Sequence, residues 1–298
     1  MPKIPEAIVI TGPTGAGKTK LGHYLALKYN GEIVCCDSRT VYRYMDIGTS
    51  KPSKSLRNEV TYHILDVVNP DELYTVARFL DDAKISIENI LKKGKIPFIV
   101  GGCGLYIRAL TRGFFPSPPP SYELREMLSN EENLWERLAS VDKEQAEKIN
   151  PNDKKRLIRA LEIFYQIGKP ISFLQREKTK KPLDLEFTMF CLDIERTTLY
   201  KWLDERVDKM VKDGLADETK RLLSMGYHPS LISMEGIGYR EMVDYLKKRI
   251  SLDDAINIMK KRTRNLAKRQ LTWFRNDKGF LWRKMDEIEK DVSITLNG

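Results

Sequence analysis

The chain has 298 residues, 41% apolar and 31% charged, enough for one large core or two modest ones and too apolar for a disordered polypeptide. Its 51 lysines and arginines against 42 aspartates and glutamates give a formal net charge of +9, which favours a polyanion or a membrane surface as partner. No stretch of about 18 apolar residues exists, and Met1 to Glu6 run into a strand-like segment without a basic-then-apolar leader, so secretion and membrane spanning are disfavoured and a cytoplasmic protein is expected. Cys35, Cys36, Cys103 and Cys191 form no C-x-x-C pair, which points to reduced thiols rather than zinc or disulfides.

Ala7 to Thr11 reads as a buried strand, Gly12 to Thr19 as a glycine loop and Lys20 to Tyr29 as a helix with Leu21 and Leu25 inward. Further strands are expected at Glu32 to Cys36 and at Tyr62 to Val68, centred on Ile64 and Leu65. Asp71 is placed to cap a helix in which Leu73, Val76, Ala77, Leu80, Ala83 and Ile87 recur, ended by Lys92, Lys93 and Gly94. Pro97 to Val100 supplies another strand. This alternation implies an α/β fold, a P-loop NTPase-like parallel sheet whose ligands sit at the carboxyl ends of the strands.

Pro116 to Pro120 cannot lie in a helix interior or a central strand and reads as a linker. From Tyr122 to Lys181 the pattern is helical, with Leu157, Leu161 and Phe164 on one stripe and Lys155 and Arg159 on another face. We therefore expect a small inserted all-α domain over 117–184, with the core formed by 1–116 and 185–298. Glu186 to Ile194 looks like a return to the sheet, followed by helices between Thr197 and Asn276.

Gly12-Pro13-Thr14-Gly15-Ala16-Gly17-Lys18-Thr19 matches G-x-x-x-x-G-K-[ST] between a strand and a helix, the position in which that pattern grips phosphates. Glycines let backbone N–H groups approach the oxygens, the helix N-terminus adds positive potential, Lys18 neutralises the outer phosphate and the Thr19 hydroxyl is a ligand for Mg2+. Asp37 and Ser38 follow the second strand and face the same cleft, where spacing alone leaves Asp37 either a general base or, with Ser38, a helix cap or a water-mediated magnesium ligand. Gly101, Gly102 and Gly104 flank Cys103, a lone cysteine of the kind that more often packs than attacks. Lys260, Lys261, Arg262, Arg264, Lys268, Arg269 and Arg275 interleave with Trp273 and Phe274. In a helix, Ile256, Met259, Thr263, Leu266 and Trp273 would face the core, leaving Lys261, Arg264, Lys268 and Arg275 as a solvent stripe, which suits an RNA backbone or is simply a solvated face.

Taken together and in order, GPTGAGKT, DSRTVYRYMDIGTSKP, GGCGLYIRAL, KKRLIRALEI, GIGYRE and TRNLAKRQLTWFR resemble the tRNA dimethylallyltransferase (IPP transferase) family over nearly the whole chain. The last string is far more specific than the glycine loop. The resemblance implies that the loop holds the diphosphate of dimethylallyl diphosphate, with Mg2+ as the cofactor bound at Thr19. It also implies that the adenosine 3′-adjacent to the anticodon, in tRNAs reading U-initial codons, is flipped out and attacked through its N6 amine. Asp37 would take the proton, Lys18 and Arg206 would hold the leaving group, and Cys103, near the reacting base, would complete the catalytic set. Asp37, Ser38, Arg39, Thr40, Cys103, Lys155, Arg156, Arg159, Gly238, Tyr239, Arg240, Lys268, Arg269, Gln270, Trp273 and Arg275 match segments that contact the tRNA anticodon stem-loop in the family. The family commonly carries Gln at the position of Thr40 and Thr at that of Cys103. No protein partner is implied, and one polyanion-binding channel per chain makes a monomer the simpler expectation.

The rival readings are a small-molecule kinase, supported equally by the glycine loop, an enzyme that prenylates free AMP, and an NTP-gated RNA-binding protein. The basic segments weigh against the first two. The third needs a Walker B acid, and neither Asp37 nor Asp66 follows a clear apolar strand.

Overall fold

The computed structural model describes residues 7–179 and 181–297. Met1 to Glu6, Lys180 and Gly298 therefore lie outside the described residues. The chain begins β1 (Ala7–Thr11), α1 (Lys18–Lys28), β2 (Gly31–Cys35), α2 (Lys54–Glu59), β3 (Tyr62–His63), α3 (Val76–Lys92) and β4 (Ile96–Val100). Six helices follow: α4 (Gly104–Arg112), α5 (Tyr122–Ser129), α6 (Leu134–Val141), α7 (Lys143–Lys148), α8 (Lys154–Ile167) and α9 (Ile171–Lys178). The chain then forms β5 (Phe187–Leu192), α10 (Arg196–Lys212), α11 (Leu215–Ser224), α12 (Tyr239–Leu246), α13 (Leu252–Arg275), β6 (Leu281–Arg283) and α14 (Met285–Asn297).

The strands make one parallel sheet in the order β3-β2-β4-β1-β5-β6, an α/β core of the P-loop kind. Parallel pairing demands crossovers and buries both faces, and every residue of β1 and β2 is buried. Ile8, Ile10, Ile33, Phe98 and Phe190 pack with Leu21 and Leu25 of α1 and Ile288 and Val292 of α14. Their neighbours Val9, Val34 and Ile99 point to the opposite face. There α3 lies on β2 and β4 with Phe79, Ala83, Ile87 and Ile90 buried. Ile10 pairs with Val100, Val100 with Cys35, and Thr11 with Cys191. Four strands thus end level, and the segments that follow them emerge along one edge.

The chain divides into two compact units, Met1–Ile107 with Leu183–Gly298, and Arg108–Pro182. The sheet belongs to the first. The second is helical, and the first crossing between them falls inside α4, ahead of the Pro116 to Pro120 stretch. Leu128, Leu134, Leu138, Leu157, Leu161 and Leu174 form a core within the second unit. Buried Glu162 accepts from the Ser121 N–H, from Arg125 and from Arg159, binding the start of α5 to α8.

Several expectations are corrected. The strand expected over Tyr62 to Val68 stops at His63, because Ile64 (φ 62°) and Asp66 (φ 54°) both adopt the left-handed conformation, which costs a β-branched residue most. Lys51 and Arg57 hold the Asp66 carboxylate there. The third helix starts at Val76, not beside Asp71: Thr75 caps it by accepting from the Arg78 N–H, and Leu73 is exposed ahead of it. The inward stripe runs through Phe79 rather than Val76 and Ala77. The first helix begins at Lys18, so Lys18 and Thr19 form its first turn. A sixth strand, β6, was not anticipated. Among the described residues no helix is long and apolar enough to cross a membrane.

Candidate active site

The glycine loop leaves β1 and turns into α1 under α10. Gly15 has φ 77°, a left-handed backbone that favours glycine, and it sits against the Leu203 side chain of α10. Lys18, from the first turn of α1, donates to the Pro13 carbonyl at 2.7 Å. Burial pushes its ammonium down to about 8, opposed by the Asp37 carboxylate and reinforced by the Arg206 guanidinium. Arg206, from α10, is itself lowered by burial and supported by Asp37. The three side chains, from three separate elements, therefore share one electrostatic environment at the edge of the sheet. Thr19 is exposed on the first turn.

Asp37 follows β2, and its Oδ1 accepts from the Arg39 N–H at 2.8 Å, a turn that fixes the carboxylate against the backbone. The loop after β4 is pressed onto the end of β2. The Cys103 N–H donates to the Cys36 carbonyl at 3.2 Å, and a Cβ on Gly101 would lie 1.9 Å from that carbonyl oxygen. Thr11 Oγ1 donates to the Gly101 carbonyl at 2.8 Å, closing the loop onto β1. Cys103 is thereby carried beside Asp37. Burial first, and the Asp37 charge further, push its thiol up to about 11, opposed by hydrogen bonds from Ser38 and from the backbone of Tyr106 and Leu105. A thiol held so high stays protonated and is no nucleophile near neutral pH.

The residues matched to tRNA contact fare differently from one another. Ser38, Arg39 and Thr40 lie beside Asp37, but Arg39 Nη1 donates to the Ile232 carbonyl at 2.7 Å. The Thr40 hydroxyl is buried without a partner among the described residues. Gly238 and Tyr239 are buried, and the Tyr239 hydroxyl donates to Glu218 at 2.7 Å; Arg240 beside them is exposed. On α13, Lys268, Arg269 and Arg275 are exposed, Arg275 lying 5.8 Å from the Trp282 ring centre. Gln270 and Trp273 turn inward to the loop after β4. In the second unit Lys155 and Arg156 are exposed, while Arg159 donates to Ser117, Pro118 and Glu162.

The basic helix is rotated from its expected setting. Ala255, Met259, Thr263, Ala267 and Phe274 are its buried residues, with Ile256, Leu266 and Trp273 at the margin. Ala267 packs against Leu199 and Leu203, where its small side chain lets α13 approach α10. Arg264, expected in the solvent stripe, pairs instead with Asp204, and Lys260 pairs with Asp208. Arg262 pairs with Glu241. The signal was present in the sequence, since two acids four residues apart oppose two cations four residues apart. Glu218 was missed outright: from α11 it accepts the N–H groups of Asp46, Ile47 and Gly48 and so fixes the segment after Asp37.

With this geometry in hand, comparison with known proteins is specific. A family model described as IPP transferase matches residues 40–277. The chain is 42% identical to a tRNA dimethylallyltransferase of Acetivibrio thermocellus, covering 98% of this chain and 96% of that protein. It is 43% identical to the enzyme so named from Desulforudis audaxviator, over 95% and 93%. Among solved structures it resembles the tRNA isopentenylpyrophosphate transferase of Bacillus halodurans, with TM-score 0.73, 37% identity and coverage of 98% and 97%. It also resembles a eukaryotic dimethylallyltransferase acting on tRNA, with TM-score 0.78, 31% identity and coverage of 93% and 74%.

Proposed function

The chain belongs to the IPP transferase family, and from that premise we infer that it is a tRNA dimethylallyltransferase. It transfers a dimethylallyl group from dimethylallyl diphosphate to the N6 amine of the adenosine 3′-adjacent to the anticodon, in tRNAs reading U-initial codons. The observation that carries the site assignment is the convergence of Lys18, Asp37 and Arg206 on one end of the sheet. It joins a phosphate-binding pair to a carboxylate able to accept a proton.

The N–H of Thr14 is taken by Gln270 and that of Ala16 by Pro13, which leaves those of Gly15, Gly17, Lys18 and Thr19 as donors to the diphosphate. Lys18 exchanges its Pro13 carbonyl for a phosphate oxygen, which restores full charge to an ammonium that burial holds near 8. The target adenosine leaves its stack, because a stacked base cannot present N6 to an allylic carbon. The N6 lone pair forms the new C–N bond as the carbon–oxygen bond to diphosphate breaks. The N6 proton passes to Asp37, and diphosphate carries away the bonding electrons, its charge met by Lys18 and Arg206. Ser38 and Cys103 line the place of the base. The exposed Lys155, Arg240, Lys268 and Arg269 are cations available to tRNA phosphates.

Magnesium fits this donor set. Thr19, exposed on the first turn of α1, is the residue that would hold a magnesium ion beside the diphosphate. Bound there, it supplies charge neutralisation to the leaving group. The substrates put the enzyme in the cytoplasm, in keeping with four unbridged thiols.

The test is transfer of a labelled dimethylallyl group to unmodified tRNA with magnesium present. Labelled tRNA from the wild-type chain and none from Asp37→Ala is the expected result. Labelled AMP with unlabelled tRNA would replace the substrate, and ATP consumption with no label transferred would replace the reaction.

A further inference from the structure

Gln270 belongs to the basic helix α13, whose neighbouring Lys268 and Arg269 are exposed, yet its own carboxamide is turned inward. Oε1 accepts the Thr14 N–H of the glycine loop at 2.8 Å, and Nε2 donates to the Gly102 carbonyl of the loop after β4 at 2.9 Å. Since one partner is only a donor and the other only an acceptor, the orientation of the amide is fixed by chemistry. Both loops lie beside Lys18: a Cβ on Gly102 would meet Gln270 Nε2 at 2.8 Å, the Gly12 carbonyl at 3.3 Å and Lys18 Nζ at 3.4 Å. One turn further along, Trp273 packs on the same loop, and a Cβ on Gly104 would lie 2.5 Å from its ring.

We propose that Gln270 is a positioning residue for the diphosphate, bridging the glycine loop to the Gly101–Gly104 loop, and not a contact to tRNA. The proposal rests on the assignment of the Gly12–Thr19 loop as the diphosphate cradle. By taking the Thr14 N–H, the amide sets the start of the loop and so the direction of the N–H groups that follow it. By holding Gly102, it fixes the distance between that cradle and the loop bearing Cys103, where the base is placed. Neutrality matters as much as shape. A carboxylate in this position would lose the hydrogen bond to the Gly102 carbonyl and draw the Lys18 charge away from the diphosphate.

Equilibrium binding of inorganic diphosphate with magnesium, and separately of unmodified tRNA, tests this on the full chain as wild type, Gln270→Ala and Gln270→Glu. Loss of two hydrogen bonds predicts roughly tenfold weaker diphosphate binding in Gln270→Ala, with tRNA affinity within about twofold of wild type. Gln270→Glu binds diphosphate weakly at neutral pH and recovers relative to wild type as pH falls through the carboxylate range, because a protonated carboxyl donates to the Gly102 carbonyl again. A merely structural role gives no such recovery. Should Gln270→Ala fail to fold, the near-isosteric Gln270→Glu carries the test alone. Unchanged diphosphate binding in the variants, or weakening confined to tRNA, overturns the proposal. Failure of the wild-type chain to bind diphosphate overturns the cradle assignment itself.

Discussion

The two basic helices α13 and α8 look alike in sequence and are used differently. In α13 the cations Lys260, Arg262 and Arg264 turn sideways to acids on α10 and α12, while Lys268 and Arg269 remain exposed. In α8 the inward cation, Arg159, binds carbonyl and hydroxyl oxygens of the Pro-rich segment and a carboxylate of its own helix, while Arg156 pairs with Asp153 at the solvent-exposed start of the helix and Lys155 remains exposed. A basic segment thus holds two populations, one that builds the fold and one that is free for a polyanion. Counting charges overstates the second.

The sharpest way to break the comparison is to remove the carboxylate under Arg159. Glu162→Ala leaves Arg125, Arg159 and the Ser121 N–H without their shared acceptor and is expected to cost about 3 kcal/mol in denaturant melts. Acid should reproduce part of this. Burial alone would raise the Glu162 carboxyl, but hydrogen bonds from Arg159, Arg125 and the Ser121 N–H outweigh it and hold the group below its ordinary 4.5. A depressed carboxyl contributes stability that is present above the ordinary value and lost as pH falls below it. Hydrogen exchange of α5 and α8 should accelerate in that window in the wild-type chain and lose that extra pH dependence in Glu162→Gln.

Neutralising the free population gives a different signature. Lys268→Ala, Arg269→Ala and Lys155→Ala should each lower the salt dependence of tRNA binding by about one unit of slope with little change in melting. Arg159→Ala should do the reverse, melting earlier while keeping the slope. The smallest effect belongs to Lys260→Ala: its pair with Asp208 is half open to solvent, so no more than about 0.5 kcal/mol should be lost.

What the sequence made legible was local. The run from β1 through the glycine loop to α1 is written in consecutive residues, and the acid after β2 and the glycines after β4 follow from the parallel sheet. The turn at Ile64 and Asp66 was hidden because it depends on Lys51 and Arg57, placed by other segments. The cap at Thr75 competed with an equally plausible Asp71. The three residues of β6 are too few to show a period. The rotation of α13 depended on small alanines that a hydrophobic count passes over. Gln270 bonds to Thr14 across the length of the chain, and nothing near either residue announces it.

The most direct measurement is nucleoside mass spectrometry of tRNA after reaction with the wild-type chain, dimethylallyl diphosphate and magnesium. We predict N6-isopentenyladenosine at the position 3′-adjacent to the anticodon, confined to tRNAs reading U-initial codons. An unmodified adenosine at that position, with the prenyl group recovered on free AMP or with ATP consumed instead, would contradict the account.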